Sequence, residues 1–306
     1  MKTNKDILPF QGLLNGIGQV YFTPSIMTST LLLLAISIES LALAFLTLLG
    51  ASCSYALAFY GYMYTNTNKS VDDIDSGMYA LNGALIGLFI GNFFGVTPLL
   101  ALVTALGALL TVPIAHIVFS FEKYRGYTSA FILTTWLIYI IQSTFELSAF
   151  SAPDSALMPL ISIEANSWFN LPTVVIPLLK GISQVSFIEN ALSGLVILVA
   201  IALNNIKHAI WVMLAVIIST VFSGSIGASN ELVAQGLYGY NAILATLALV
   251  PYPRIRWPLI LLGMLLSCLI TLGFHELSLL PLTAPFILST WGMVYLSSLI
   301  HKRTIS

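Results

Sequence analysis

Charge is scarce in this sequence. Asp, Glu, Lys and Arg supply 8% of its 306 residues, while 58% are hydrophobic; ordinary soluble domains carry about a quarter and about half, respectively. The apolar residues gather in long runs such as Leu41 to Leu49, Ala130 to Ile141, Leu195 to Leu203 and Leu259 to Leu272. A helix crossing a bilayer needs about 20 predominantly apolar residues. The shortage of charge therefore excludes a soluble domain and requires several spans in a lipid bilayer. The net charge of -1 argues against a nucleic-acid partner, which usually shows as a clustered basic patch. Cysteine is scarce too. Cys53 and Cys268 both lie inside apolar stretches, where free Cys behaves as a small hydrophobe, so both are read as packing residues.

Ionisable side chains are missing from the centres of the apolar runs. Glu39 falls between runs, Glu146 and His116 near run ends, and His208, Glu231, His275, Glu276 and His301 at boundaries or in loops. Ion-coupled carriers and proton pumps generally place such groups at membrane depth, so a coupling ion has no evident ligand set. No Ser/His, His-rich or paired-carboxylate constellation falls at one depth, which argues against an enzyme, and neither a metal site nor a cofactor motif is read. A compact signal core is also missing, because Lys2, Lys5 and Asp6 precede a mixed segment containing Pro, Gly and Asn; the first spans are expected to stay in the protein.

The fold class is all-α. The runs are continuously apolar rather than alternating, which selects helices over a barrel. About ten spans are expected: residues 25–38, 40–63, 76–92, 96–118 and 127–147, then 190–204, 209–226, 234–250, 258–274 and 283–300. Before each set lies a segment too short to cross, Gly12 to Phe22 and Leu178 to Glu189, read as a re-entrant half-helix that protein or a cavity must shelter. Lys and Arg accumulate on the cytoplasmic side. With the N-terminus inside, Lys2, Lys5, Lys69, Lys123, Arg125, Lys207, Arg254, Arg256, Lys302 and Arg303 are all cytoplasmic and Lys180 alone is outside. Both termini are then cytoplasmic, and the central linker, residues 148–176, is external; it carries Asp154 and Glu164 without any Lys or Arg.

Three blocks recur in order. Gly16, Ile17, Gln19, Val20 and Phe22 return as Gly181, Ile182, Gln184, Val185 and Phe187. Gly77, Tyr79 and Asn82 return as Gly236, Tyr238 and Asn241, and Thr128, Phe131, Thr135 and Trp136 return as Thr283, Phe286, Thr290 and Trp291. The offsets drift from 184 − 19 = 165 through 241 − 82 = 159 to 283 − 128 = 155, as loops of unequal length in duplicated halves produce. Each half holds an odd number of spans, so the halves, 1–147 and 177–306, insert in opposite orientation, and such inverted repeats place a solute site at their interface.

The site chemistry suits an uncharged solute moving downhill. Leaving water unpaired costs about 2–7 kcal/mol per polar group, and Gln19, Gln184, Thr128 and Thr283 offer replacement hydrogen bonds without charge. Taken singly, a Gln in an apolar helix bridges helices and a Thr hydroxyl bonds back to its own helix; their duplicated context points instead to a pathway. Phe22, Phe187, Val20, Val185, Leu81, Leu85, Tyr240 and Leu244 are its apolar and aromatic partners, a greasy slot fit for a planar amide. Gly83, Gly87 and Gly91 are read as helix-packing glycines, and Asn82 and Asn241 as fixing a helix break or bonding the opposite half.

With its duplicated Gly-x-x-Gln-Val-x-Phe block, the run Gly236 to Asn241 and the run Leu280 to Phe286, the chain resembles the urea transporter family over nearly its whole length. Aligned on Thr283, the first proline of the family's Leu-Pro-x-x-Thr-x-Pro-Phe motif is displaced by one position to Pro281, and the copy at Tyr124 to Phe131 has lost both prolines. The resemblance implies a bacterial cytoplasmic-membrane homotrimer whose protomers each pass urea through their own pore. Gln19 and Gln184 would begin a hydrogen-bonding ladder; Phe22 with Val185 and Phe187 with Val20 would form two slots. Leu85 and Leu244 would narrow these, with Leu81 and Tyr240 opposite, and Thr128 and Thr283 would face the central constriction. The alternatives are permeation of another small neutral solute, such as a short amide or water, and an ion-coupled carrier.

Overall fold

The computed structural model describes residues 10–65, 71–121, 124–147, 150 and 174–305; Lys2, Lys5, Lys69 and Lys123 and all but a few residues of the central linker lie outside the described residues. Among the described residues the structure is helical and has no strand. The first half contains α1 (Gln11–Gly18), α2 (Ile26–Glu39), α3 (Leu41–Thr65), α4 (Val71–Asp75), α5 (Met78–Phe94), α6 (Pro98–Phe119) and α7 (Ser129–Phe145). The second repeats the order with α8 (Val175–Ser183), α9 (Ala191–Asn204), α10 (Ile206–Ser225), α11 (Asn230–Ala234), α12 (Gly239–Leu249), α13 (Trp257–Glu276) and α14 (Ala284–Ile305).

Each expected apolar segment is a helix, but the lengths differ from ten full crossings. Four helices, α3, α6, α10 and α13, are long and apolar enough to span on their own. The half-helices α1 and α8 run into α2 and α9 through bends of 65° and 74°, and each bent pair reaches the same standard. Both α5 and α7 have 17 residues, and α12 has only 11, well short of the expected 234–250. The reason is burial: every residue of α12 is buried, so protein, not lipid, sets its length. At 22 residues α14 is long enough, though Ser289, Thr290, Ser297 and Ser298 dilute its apolar character.

Local signals place the helix ends. Asn190 caps α9 by accepting from the amides of Leu192 and Ser193, and Asn205 caps α10 through those of Lys207 and His208. Thr97 caps α6, with Pro98 at its first position, where a missing N–H is harmless. Close packing is set by glycine. A Cβ on Gly83 or Gly87 would fall 2.2 and 2.1 Å from the carbonyl oxygens of Gly50 and Leu46, so α3 and α5 pack backbone to backbone as expected.

The halves embrace through reciprocal bonds. Thr28 Oγ1 donates to Ala200 O (3.5 Å) and Ser193 Oγ to Ala35 O (2.8 Å), both between α2 and α9. Trp136 Nε1 donates to Leu280 O and Trp291 Nε1 to Arg125 O, each at 3.0 Å. In each pair, donor and acceptor swap halves, the pattern a pseudo-two-fold axis requires. Leu34, Leu102, Leu106, Ile140, Ile210 and Val221 lie on the outside, exposed to what would be lipid.

Candidate functional site

Both half-helices end inside the protein. A turn of 3-10 helix, Gln19–Tyr21 after α1 and Gln184–Ser186 after α8, leads to a phenylalanine in left-handed backbone, Phe22 at φ 52° and Phe187 at φ 57°. That conformation is uncommon for a bulky residue; it bends the chain toward the next helix and leaves each ring at the head of the turn. The turn pairs its own carbonyls: Phe22 N donates to Gln19 O and Thr23 N to Gly18 O, with the same pattern at Phe187 and Ile188. Re-entry is thus sheltered by the turn's own bonds.

Gln19 Nε2 donates to Ser76 O (3.0 Å) and Gln184 Nε2 to Gln235 O (3.2 Å). With the amide nitrogens so tied, the Oε1 atoms are left as acceptors. Two cavities of about 450 Å³ each open beside them. The first is lined by Gln19, Phe22, Ser76, Met78 and Tyr127, and the second by Gln184, Phe187, Gln235, Leu237 and Leu282. These are repeat mates, position for position. The rims differ: Asp72, Asp73, Phe121 and Arg125 surround the first, and Glu39, Glu189, His275 and Leu280 the second. Glu189 pairs with Lys180 (2.7 Å), and Glu39 Oε2 accepts from Asn190. Turns following α2, α5 and α13 thereby meet at one end, and those following α4 and α6 at the other.

Between the cavities the halves meet directly. Thr128 Oγ1 and Thr283 Oγ1 are 2.8 Å apart, both buried. Each follows a residue in left-handed backbone, Tyr127 (φ 44°) or Leu282 (φ 46°), that lines one cavity, so this hydrogen bond joins the two cavity walls. Tyr21 and Ser186, also repeat mates, hydrogen-bond through their hydroxyls at 3.1 Å. Phe22 meets Phe286 edge-on at 6.2 Å, and Phe187 meets Phe131, the mate of Phe286, at 5.9 Å.

Asn82 and Asn241 hold this layer in place. Asn82 accepts from Phe131 N (2.8 Å) and donates to Tyr127 O (3.1 Å), while Asn241 does the same to Phe286 N (3.3 Å) and Leu282 O (3.2 Å). They fix the break before α7 and α14, each within its own half. Of the expected site residues, Gln19, Phe22, Gln184, Phe187 and Tyr240 line the cavities. Val20, Leu81, Leu85, Thr128, Val185, Leu244 and Thr283 are all buried. Sequence reasoning passed over Ser76 and Gln235, whose backbone carbonyls carry no side-chain signature, and the rim residues Asp73 and Arg125.

The urea transporter family model matches residues 10–298. The chain belongs to the urea transporter family. Within single stretches it is 37% identical to mouse urea transporter 1 over 67 residues, which are 22% of this chain and 17% of that protein. It is 34% identical to the sheep urea transporter 1 over 74 residues, 24% of this chain and 19% of that protein. The chain thus spans about a fifth of the length of the curated relatives it matches. Membership rests on a match over most of the chain, and within that match lie the paired cavities and the Thr128–Thr283 junction between them.

Proposed function

We propose that this protein passes urea across the cytoplasmic membrane of a bacterium, down its gradient and without a coupling ion. Each protomer of a homotrimer carries its own pathway. The observation that carries the reading is the pair of repeat-related cavities, one at each end, each walled by a Gln and a Phe at matching positions and joined at Thr128 and Thr283. A planar urea slides edge-on past the Gln19 and Gln184 carbonyl oxygens, which accept from its N–H groups, with the Phe22 and Phe187 rings against its faces. Val185 and Leu85 complete the slot at Phe22, and Val20 and Leu244 the slot at Phe187. Leu81 and Tyr240 stand opposite. At the centre the threonine hydroxyls exchange their mutual bond for bonds to the solute, so the desolvation penalty of about 2–7 kcal/mol per group is offset without charge.

The 1–147 and 177–306 halves stand in opposite membrane orientation, with the Asp73 and Arg125 cavity cytoplasmic and the Glu189 and Lys180 cavity external. Loop clustering supports this, since the turns assigned to each side by positive charge meet at the same end of the molecule. Stopped-flow light scattering on proteoliposomes tests the function. Fast urea entry at zero membrane potential, without sodium or proton gradients and faster than entry of glycerol, is the expected result; urea flux that begins only when an ion gradient is imposed overturns the passive reading.

A further inference from the structure

A third cavity lies away from the solute pathway. It encloses about 620 Å³ between the turn after α12 and the end of α14. Arg254, Arg256 and His301 line it, with Pro258, Leu259 and Ile300 as apolar neighbours, and among the described residues no acidic one is in its walls. Neither arginine has an ion pair among the described residues, where a cation beside a carboxylate would ordinarily have found one. The loop is nevertheless well anchored. Ile255 is buried between the two exposed arginines, its amide donates to Tyr252 O (3.0 Å), and Ser297 Oγ donates to Arg254 O (3.3 Å). A built, unpaired cationic pocket opens beside Trp257, 68% exposed at the start of a spanning helix; Trp belongs at the headgroup level of a membrane.

We infer that this cavity holds the phosphodiester headgroup of an anionic phospholipid. The two guanidinium groups supply planar, forked donors matched to phosphate oxygens, and the α13 N-terminus adds its positive dipole end. An acyl chain leaves the pocket along Leu259 and Ile300. A free phosphate would use the same donors but gain nothing from that apolar exit, which is why the lipid is the occupant. Basic pockets beside helix ends on the cytoplasmic side bind such headgroups in general.

Native mass spectrometry of the full chain in a neutral detergent tests the assignment, counting retained phosphatidylglycerol against phosphatidylcholine per chain. Wild-type protein should favour phosphatidylglycerol at least about tenfold, and the Arg254→Gln/Arg256→Gln double variant should lose that preference, as removal of charge-assisted bonds predicts. Urea flux of the double variant in phosphatidylcholine vesicles should stay at the wild-type level, which also establishes that it folds. Should it fail to fold, Ile300→Glu, which keeps both arginines and sets a carboxylate in the pocket wall, should abolish the preference. Equal preference in wild type and the variants, or complete displacement of the lipid by millimolar inorganic phosphate, overturns the proposal.

Discussion

At the residue scale, the two central hydroxyls depend on each other. Thr128→Val leaves Thr283 Oγ1 buried without its 2.8 Å partner, and an unsatisfied buried group costs about 1–3 kcal/mol. Replacing both threonines by Val removes donor and acceptor together and should restore much of that loss. Thermal unfolding in detergent checks the cycle, and urea flux should fall in the single and the double variant alike, since neither restores a hydrogen-bonding surface. Gln19→Leu should slow flux with little change in folding. Tyr240 breaks the symmetry, standing where Leu81 stands in the first half, and its hydroxyl donates to Leu282 O (2.7 Å). Tyr240→Leu should widen the second slot and raise acetamide flux relative to urea in the same vesicle assay. Asp73, on the rim of the first cavity, has its carboxyl pushed above the usual range by burial and by Asp72, against a smaller downward pull from Arg125. A raised carboxylate favours the folded state at low pH and loses that contribution as pH climbs through the folded value. Asp73→Asn should therefore stabilise the protein at pH 7, with the gain vanishing below the ordinary value of 3.8; melting temperature measured against pH reads this directly.

At the element scale, the half-helices owe their seats to glycine. Gly77 and Gly236 adopt φ 85° and 77°, and a Cβ on either would lie 2.2 or 2.3 Å from the backbone nitrogen of Gly16 or Gly181. Positive φ alone strains a side chain by about 1–3 kcal/mol, and the clash with backbone adds to it. Gly77→Ala or Gly236→Ala should lower stability by roughly 3 kcal/mol or more, while Gly224→Ala, with nothing within 4 Å, should change it little. The repeat blocks were legible in the sequence because these crossings tolerate no other residue. The direction of the asparagine bonds was not legible: a single Asn in an apolar helix gives no sign whether its partner is the adjacent break or the opposite half. Likewise the shortness of α12 was hidden, since apolar residues read alike whether they face lipid or buried protein.

At the scale of the whole molecule, sidedness is the property to test. With Ser120→Cys and Ser278→Cys, each in a chain lacking Cys53 and Cys268, a membrane-impermeant thiol reagent should label Ser278→Cys from outside intact cells and Ser120→Cys only after permeabilisation; the reverse pattern would invert the orientation. Composition alone determined that the chain lives in a bilayer, because 58% hydrophobic and 8% charged residues admit no aqueous surface. The duplicated blocks determined that it has two related halves and named Gln19, Gln184, Thr128 and Thr283, since symmetric polar residues in apolar runs stand out against their background. Only tertiary structure decided that Thr128 bonds Thr283, that Tyr21 bonds Ser186, and that Phe22 and Phe187 each meet a ring from the opposite half. Contacts between residues of different halves, the threonine and Tyr21–Ser186 bonds 155 and 165 positions apart, arise from how two halves dock, and docking is set by shape and reciprocal hydrogen bonding across the interface, which no local run of sequence contains.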